Sequence, residues 1–421
     1  MPESQMPKSG ERRSQNPKPS LFIVGSKGLP ASYSGYETLA EEVGTRLTKR
    51  GTNVHVTCEV ASEEEIGLPE YRGVHLSYIQ APDNHLRTFI SDYKALKRCA
   101  ELADRGDVVY LLGYGIGPFL WTVLRELKQK GIRFWINPDG LEWKRSRWPA
   151  VVQKYLRFAE GFVVNRADRI IADSVAIKNY LQSEYALPDK RFSVVEYGAP
   201  KNEAAVDRNV EKEVLAFLHE HDLVEGEYFM KVARCVPENN IALIAEAFAK
   251  TPKINKKMLV ITNRDSGNAY YQKLQRIVAK SEAEERVHIL GPIYDQPFLM
   301  HLRRKAYGYM HGHEVGGTNP SLVEAMGEAS FILAFDSVFS REVLDDAALF
   351  YDKNVDDVIR TVVKAINLPD AEIERFRTRA KARVEMHYNW KRITDCYESL
   401  IREQALSSDS FGRVSLAEAK G

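Results

Sequence analysis

Residues 311–329, HGHEVGGTNPSLVEAMGEA, decide how the chain is read. They have the composition of a strand end, a glycine turn and a helix start. Asn319 suits an N-cap, and Pro320 suits the first helical position because its missing N–H would have no intrahelical partner there. Ser321 follows within the first turn. Gly316 and Gly317 let the backbone approach a ligand closely. The free N–H groups of a helix start carry partial positive charge, so Gly316, Gly317, Thr318, Asn319 and Ser321 form a candidate anion site suited to a phosphate. Glu324, about a turn further on, offers a carboxylate to sugar hydroxyls. A plain loop with a solvated glutamate needs no such combination of glycines, cap, proline and acid.

Working outward, short apolar runs alternate with amphipathic segments, the pattern of strand–helix repeats and a parallel sheet. Strands are expected at 21–25, 53–59, 73–79, 107–113, 132–137, 169–172 and 192–196. Helices are expected from Tyr36 to Arg50 and at 86–104, 118–130, 148–165 and 174–184. The pattern restarts with strands at 227–233, 257–262, 286–290, 307–311, 331–335 and 348–351 and helices at 238–250, 268–283, 295–306 and 320–329. The fold class is therefore α/β: two doubly wound domains, 20–196 and 210–368, joined by a polar linker at 197–209. They are followed by C-terminal helices at 369–406 that pack back toward the first domain. Residues 1–19 read as a disordered leader and 407–421 as a disordered tail. Open α/β sheets bind ligands at the carboxyl ends of their strands, so a cleft between two such edges is the expected site.

A chain of 421 residues exceeds what one hydrophobic core supports. With 59 basic and 58 acidic residues the charge is balanced, which argues against a dedicated nucleic-acid binder. Cys58, Cys99, Cys235 and Cys396 lie far apart without a C-x-x-C pair, so neither a zinc site nor a disulfide framework is indicated and a cytoplasmic setting fits. No apolar run approaches the roughly 20 residues that cross a bilayer.

Other strand ends add candidates. Gly35, in the loop after the first strand, permits close backbone approach. GYGIG at 113–117 has the wrong spacing for a dinucleotide fingerprint and reads as a tight turn, which leaves an oxidoreductase as the weakest reading. NPDGLEWKRSRW at 137–148 gathers Asp139, Glu142 and several cations. There Asp139 could hold a sugar hydroxyl, serve as a base or simply cap a turn. Basic and aromatic residues continue through Lys154, Tyr155, Arg157 and Phe158, a surface that would rest against anionic headgroups or be merely solvated. Arg234, after a strand, has the forked geometry that suits a diphosphate. His311 and His313 form an H-x-H pair beside Glu314 that suggests a metal, but no third ligand to the pair stands at a recognisable spacing, so one packed and one loop histidine is the expectation.

At these residues the chain resembles the GT-B-fold glycosyltransferases of family 4, from about Leu21 to Leu406. VGGTNPSLVEAMG is similar to the second half of the family's E-x7-E motif and places Glu324 at the nucleotide ribose. ARCVPEN resembles the G-R-x-x-x-E-K element and places Arg234 at the diphosphate. SKGLPASYSGYET, DGLEWKRSRW, HGHEVGGTNPSLVEA and DSVFSREVL resemble the bacterial rhamnosyltransferase subgroup. Departures are visible: Gly316 stands eight residues before Glu324, with Glu314 the nearest acid. Asn239 replaces the phosphate lysine, Asp139 stands where many members have histidine, and the first loop has Ser34-Gly35 in place of a glycine pair.

The resemblance implies two Rossmann-like domains and retention of anomeric configuration without a metal or other cofactor. It implies a nucleotide-sugar donor, best matched by dTDP-rhamnose, and a saccharide acceptor, lipid-linked, at the inner face of the cell membrane. Asp139 would orient a sugar or act as a base, and Gly35, Arg234, Glu314, Gly316, Gly317, Thr318, Asn319, Ser321 and Glu324 would bind substrate. UDP- or GDP-linked donors, a sugar-nucleotide epimerase and a non-catalytic nucleotide-sugar sensor are the alternatives.

Overall fold

A computed structural model describes residues 18–31, 35–82, 87–200, 208–250, 253–280, 283 and 285–418, with side chains described as far as 405. The first half runs β1 (Leu21–Val24), α1 (Gly35–Lys49), β2 (Val54–Val60), β3 (Glu70–Tyr71), β4 (Val74–Gln80), α2 (Arg87–Leu102), β5 (Val108–Leu112), α3 (Trp121–Lys130), β6 (Arg133–Asn137), α4 (Ala150–Val164), β7 (Arg169–Ala172), α5 (Val175–Tyr185) and β8 (Phe192–Val194). The second runs α6 (Arg208–Glu220), β9 (Tyr228–Val232), α7 (Ile241–Lys250), β10 (Lys257–Ile261), α8 (Ala269–Lys280), β11 (Val287–Leu290), α9 (Gln296–Lys305), β12 (Gly308–His311), α10 (Pro320–Gly327), β13 (Ile332–Phe335), α11 (Val338–Leu344), β14 (Ala348–Tyr351) and α12 (Val355–Ile366). Helices α13 (Asp370–His387) and α14 (Trp390–Glu418) close the chain.

The first sheet has the order β3-β4-β2-β1-β5-β6-β7-β8 and is parallel except for the β3–β4 pair. The second is β11-β10-β9-β12-β13-β14, parallel throughout. The central strands are covered on both faces and read as unbroken apolar runs: every residue of LFIV and VVYLL is buried. Each sheet is thus wound on both sides, and each core lies between sheet and helices.

Helices α6, α11 and α12 are absent from the sequence reading. The signal for α12 was available: Asn354 caps it by accepting from the Asp356 N–H, and Val358, Val362 and Ala365 line its buried face. The stretch read as a polar linker starts inside the protein. Tyr197 and Ala199 are buried, the Ala199 N–H donates to the Tyr388 carbonyl at 2.7 Å, and residues 201–207 lie outside the described residues.

The chain crosses back at the junction of α13 and α14. Ala380, Val384 and Tyr388 pack with Leu322 and Met326 of the second domain, whereas Trp390, Ile393, Tyr397 and Ile401 join the core of the first beside Leu21 and Leu39. The Tyr397 and Tyr110 hydroxyls share a buried hydrogen bond of 2.9 Å. Helix α14 continues to Glu418, through most of the segment read as a tail. Among the described residues no helix is long and apolar enough to cross a membrane.

Candidate functional site

The start of α10 is built as its residues dictate. The Asn319 side chain accepts from the Leu322 N–H, Pro320 occupies the first turn, and Gly316 has φ +129°, a conformation that strains other residues. The Ser321 hydroxyl donates to Asn319 Oδ1 at 2.8 Å and accepts from Tyr309 at 3.2 Å, so it braces the cap. Glu314 donates its N–H to the Glu238 carbonyl, and its carboxylate pairs with Lys353. Arg234 is exposed at the end of β9, its carbonyl bonded by the Asn239 amide.

Glu324 points inward to the buried Arg303 of α9, oxygen to nitrogen 2.6 Å. The sequence reading assigned it to sugar hydroxyls alone; the structure adds this second attachment, made by its Oε2.

The first domain meets this helix start directly. Gly35 opens α1 against Pro320, where a Cβ would lie 3.2 Å from the proline ring. A Cβ on Gly140 would lie 2.7 Å from the Gly317 nitrogen, and a Cβ on Gly317 would overlap the Asp173 carboxylate. Thr318 Oγ1 donates to the Asp173 carbonyl at 2.6 Å, Ser146 Oγ donates to Glu238 at 2.9 Å, and Glu342 of α11 caps α5 by accepting from Val175 and Ala176. The two sheet edges therefore touch at the glycine turn. A diphosphate lying against these N–H groups would share the place with Asp173.

Asp139 stands in this junction with φ +54°, and Leu141 has φ +47°. Two side-chain-bearing residues in the left-handed region flank Gly140, a local strain that persists where surrounding structure enforces it. Asp139 Oδ1 accepts from the Gly140 N–H at 2.8 Å, and its other oxygen faces Arg145 at 3.5 Å. Arg145 also pairs with Glu142 at 2.6 Å. Burial opposes the Arg145 charge, and Asp139 and Glu142 outweigh it, leaving its pKa raised.

Sequence reasoning missed Asp173 and Lys231. Asp173 follows β7 and is 6% exposed, with Oδ1 lacking a partner. Burial, then the charges of Asp139 and Glu342, push its carboxyl up to about 8. The signal available was an acid at a strand's carboxyl end, on the expected cleft edge. Lys231, inside the apolar run EYFMKVA, is wholly buried. Among the described residues no three metal-ligating side chains come together, and His311 and His313 stack on each other.

The raised Asp173 carboxyl makes a pH prediction. The folded protein holds a proton that the unfolded chain releases above the ordinary value of 3.8. This stabilisation is complete below about 4 and is lost as pH rises through about 8. Urea midpoints of the wild type should fall between pH 6 and pH 9 more steeply than those of Asp173→Asn. Parallel curves for the two proteins would refute the assignment.

Two doubly wound sheets meeting at their strand ends, with a last helix returning to the first domain, define the GT-B architecture of glycosyltransferases. Residues 219–383 match the family described as Glycosyl transferases group 1, and residues 18–200 match a second family, described as Domain of unknown function (DUF1972). The sucrose-phosphate synthase of Thermosynechococcus elongatus superposes with a TM-score of 0.76 at 15% identity, covering 93% of this chain and 100% of that one. Anabaena Alr3699/HepE in complex with UDP superposes with a TM-score of 0.67 at 14% identity, covering 91% and 100%. The O-antigen chain mannosyltransferase RfbU of Salmonella typhimurium is 25% identical over 230 residues, 53% of this chain and 58% of that protein, so the match spans little more than half of that relative.

Proposed function

We propose that this protein transfers a hexosyl residue from a nucleotide sugar to a saccharide acceptor in cell-surface polysaccharide synthesis, with retention at the anomeric carbon and without a metal. The observation that carries the proposal is the capped glycine turn of α10 facing Gly35, Asp139 and Gly140 across the domain junction. In this reading the donor diphosphate lies on the N–H groups of Gly316–Ser321 with Arg234 beside it, and Glu324 holds the ribose with its second oxygen. The anomeric carbon–phosphate oxygen bond breaks as the acceptor oxygen bonds to the same face. The acceptor proton passes to a phosphate oxygen, and fixed dipoles stabilise the departing charge. Asp139 orients the acceptor.

The donor we favour is dTDP-rhamnose, on the likeness of DGLEWKRSRW and HGHEVGGTNPSLVEA to rhamnosyltransferases. The name of the Salmonella relative supports GDP-mannose as the second choice. A thermal-shift and turnover panel of dTDP-rhamnose, GDP-mannose, UDP-glucose and UDP-GlcNAc with a lipid-linked saccharide tests both. Stabilisation and transfer with one donor are expected; binding of none would end the proposal.

A lipid-linked acceptor at the inner membrane face fits the outer surface of α4. Phe158 on α4 and Trp121 at the start of α3 are exposed, Arg166 lies over the rings of Trp121 and Phe162, exposed Lys154 stands one turn before Phe158, and Arg157 is paired with Glu184. Aromatic bodies with cationic rims suit an anionic headgroup layer. Phe158→Ser with Lys154→Glu should lower sedimentation with phosphatidylglycerol vesicles several-fold, and unchanged sedimentation would remove the membrane from the proposal.

A further inference from the structure

The glycine turn has a basic floor. The Lys231 ammonium lies 3.5 Å from the Met310 carbonyl, and a Cβ on Gly312 would come within 3.0 Å of it. Next to it the rings of His311 and His313 stack, centroids 4.8 Å apart and 14° from parallel. The Nδ1 of each is buried and has no partner. A buried polar nitrogen left unmatched is costly unless something arrives to use it.

The groups around this stack are mostly cationic. Lys231 comes from β9, Arg234 from the loop after it, and Arg145 from the first domain. Together with His311 and the dominant effect of burial, they hold His313 well below its ordinary 6.5. Burial and Lys231 do the same to His311, and burial brings Lys231 down to about 7. The neighbouring carboxylates are engaged: Asp139 and Glu142 with Arg145, Glu314 with Lys353, and Glu238 Oε2 with Ser146. Glu238 Oε1 is buried without a partner. Tyr270 of α8 bonds the Ala242 N–H, and the Tyr351 hydroxyl of β14 donates to the His311 carbonyl. Both histidines are thus neutral near pH 7 in the free protein.

We propose that His313, stacked on His311 over Lys231, is a proton-gaining ligand of the donor diphosphate, so that donor binding takes up a proton from solvent. The inference rests on the functional reading above. A diphosphate in the turn replaces repulsion among cations by attraction, which favours the imidazolium. The proton bonds to the His313 ring, and the cation formed offsets part of the entering negative charge.

Nucleotide sugars make clean probes, because each phosphorus carries one ester and one anhydride link and its single acidic oxygen does not titrate near neutrality. Calorimetry of the full chain with dTDP-glucose, UDP-glucose and GDP-mannose, in two buffers of different ionisation enthalpy at pH 7.5, should show about one proton taken up by His313 in the wild type, beside a part-proton gained by Lys231. Affinity should fall about tenfold for each pH unit above the free histidine's pKa. His313→Gln should bind about tenfold more weakly and take up about one proton fewer than the wild type, leaving only the share that Lys231 gains. Should that variant fail to fold, histidine ring resonances of the wild type report the same event, moving from neutral to imidazolium positions on donor addition. Binding without proton uptake, or uptake undiminished in His313→Gln, overturns this inference alone. Binding of no nucleotide sugar overturns the functional reading and this inference with it.

Discussion

Glu324→Gln is expected to lose both donor affinity and fold stability. Arg303 is buried to 1% of its side-chain surface, and its Nε and Nη1 have no other partner. Removing the carboxylate charge leaves a guanidinium buried without compensation, a change that typically costs about 3–5 kcal/mol. Glutamine keeps one acceptor and the shape of the site, so the low end of that range applies, and melting should drop by roughly 6–12 °C. The ribose role predicts a separate loss in donor binding. The two can be parted by replacing both members of the pair, Arg303→Met with Glu324→Leu, since a well-packed apolar pair is often as stable as a buried ion pair. Stability should recover in the double variant while donor binding stays weak. An unchanged melting temperature in Glu324→Gln would refute the pair, and an unchanged donor dissociation constant would refute the ribose role.

The same residue shows how much the sequence discloses. Asn319, Pro320 and the glycines declare the start of α10 because capping and turn chemistry are local, and LFIV, VVYLL and the other buried strands declare themselves by apolar composition alone. The partner of Glu324 was not legible. In HLRRK, Arg303 looks like one of three cations at an exposed helix end, and only the packing of α9 against α10 shows that it faces inward. Asp173 has the same history: beside Ser174, which caps α5, it reads as part of a helix start, and the opposing glycine turn becomes its neighbour only when the two domains meet. Lys231 carries no periodic signal within its strand, so its burial under Gly312 depends on the order of β9 and β12 in the sheet. What local chemistry writes is readable, and what contact between distant segments creates is not.

Gly317→Ala should abolish the closed junction and most of the activity while sparing each domain. Gly317 is not in the left-handed region, unlike Gly316, so alanine fits its backbone without strain of its own. Its methyl group would overlap both oxygens of Asp173, which follows β7 in the opposite domain and whose own carbonyl holds Thr318 at 2.6 Å. The domains can relieve that overlap only by parting at this edge, because the other wall of the turn is backbone at Gly140, where a Cβ would already meet the Gly317 nitrogen at 2.7 Å. A displacement of about 1 Å at a reacting centre is enough for a roughly 100-fold loss of rate. Donor binding to the second domain should survive, since Arg234 and the N–H groups of the helix start belong to it, so the defect should fall on kcat. Dyes placed on α4 and α12 should report a longer interdomain distance by fluorescence transfer. Adding Asp173→Gly to Gly317→Ala frees the space the methyl group needs and should return that distance to the wild-type value. Wild-type turnover in Gly317→Ala would mean that catalysis does not pass through this contact, and an unrestored distance in the double variant would mean that the Asp173 carboxylate is not what the methyl group strikes.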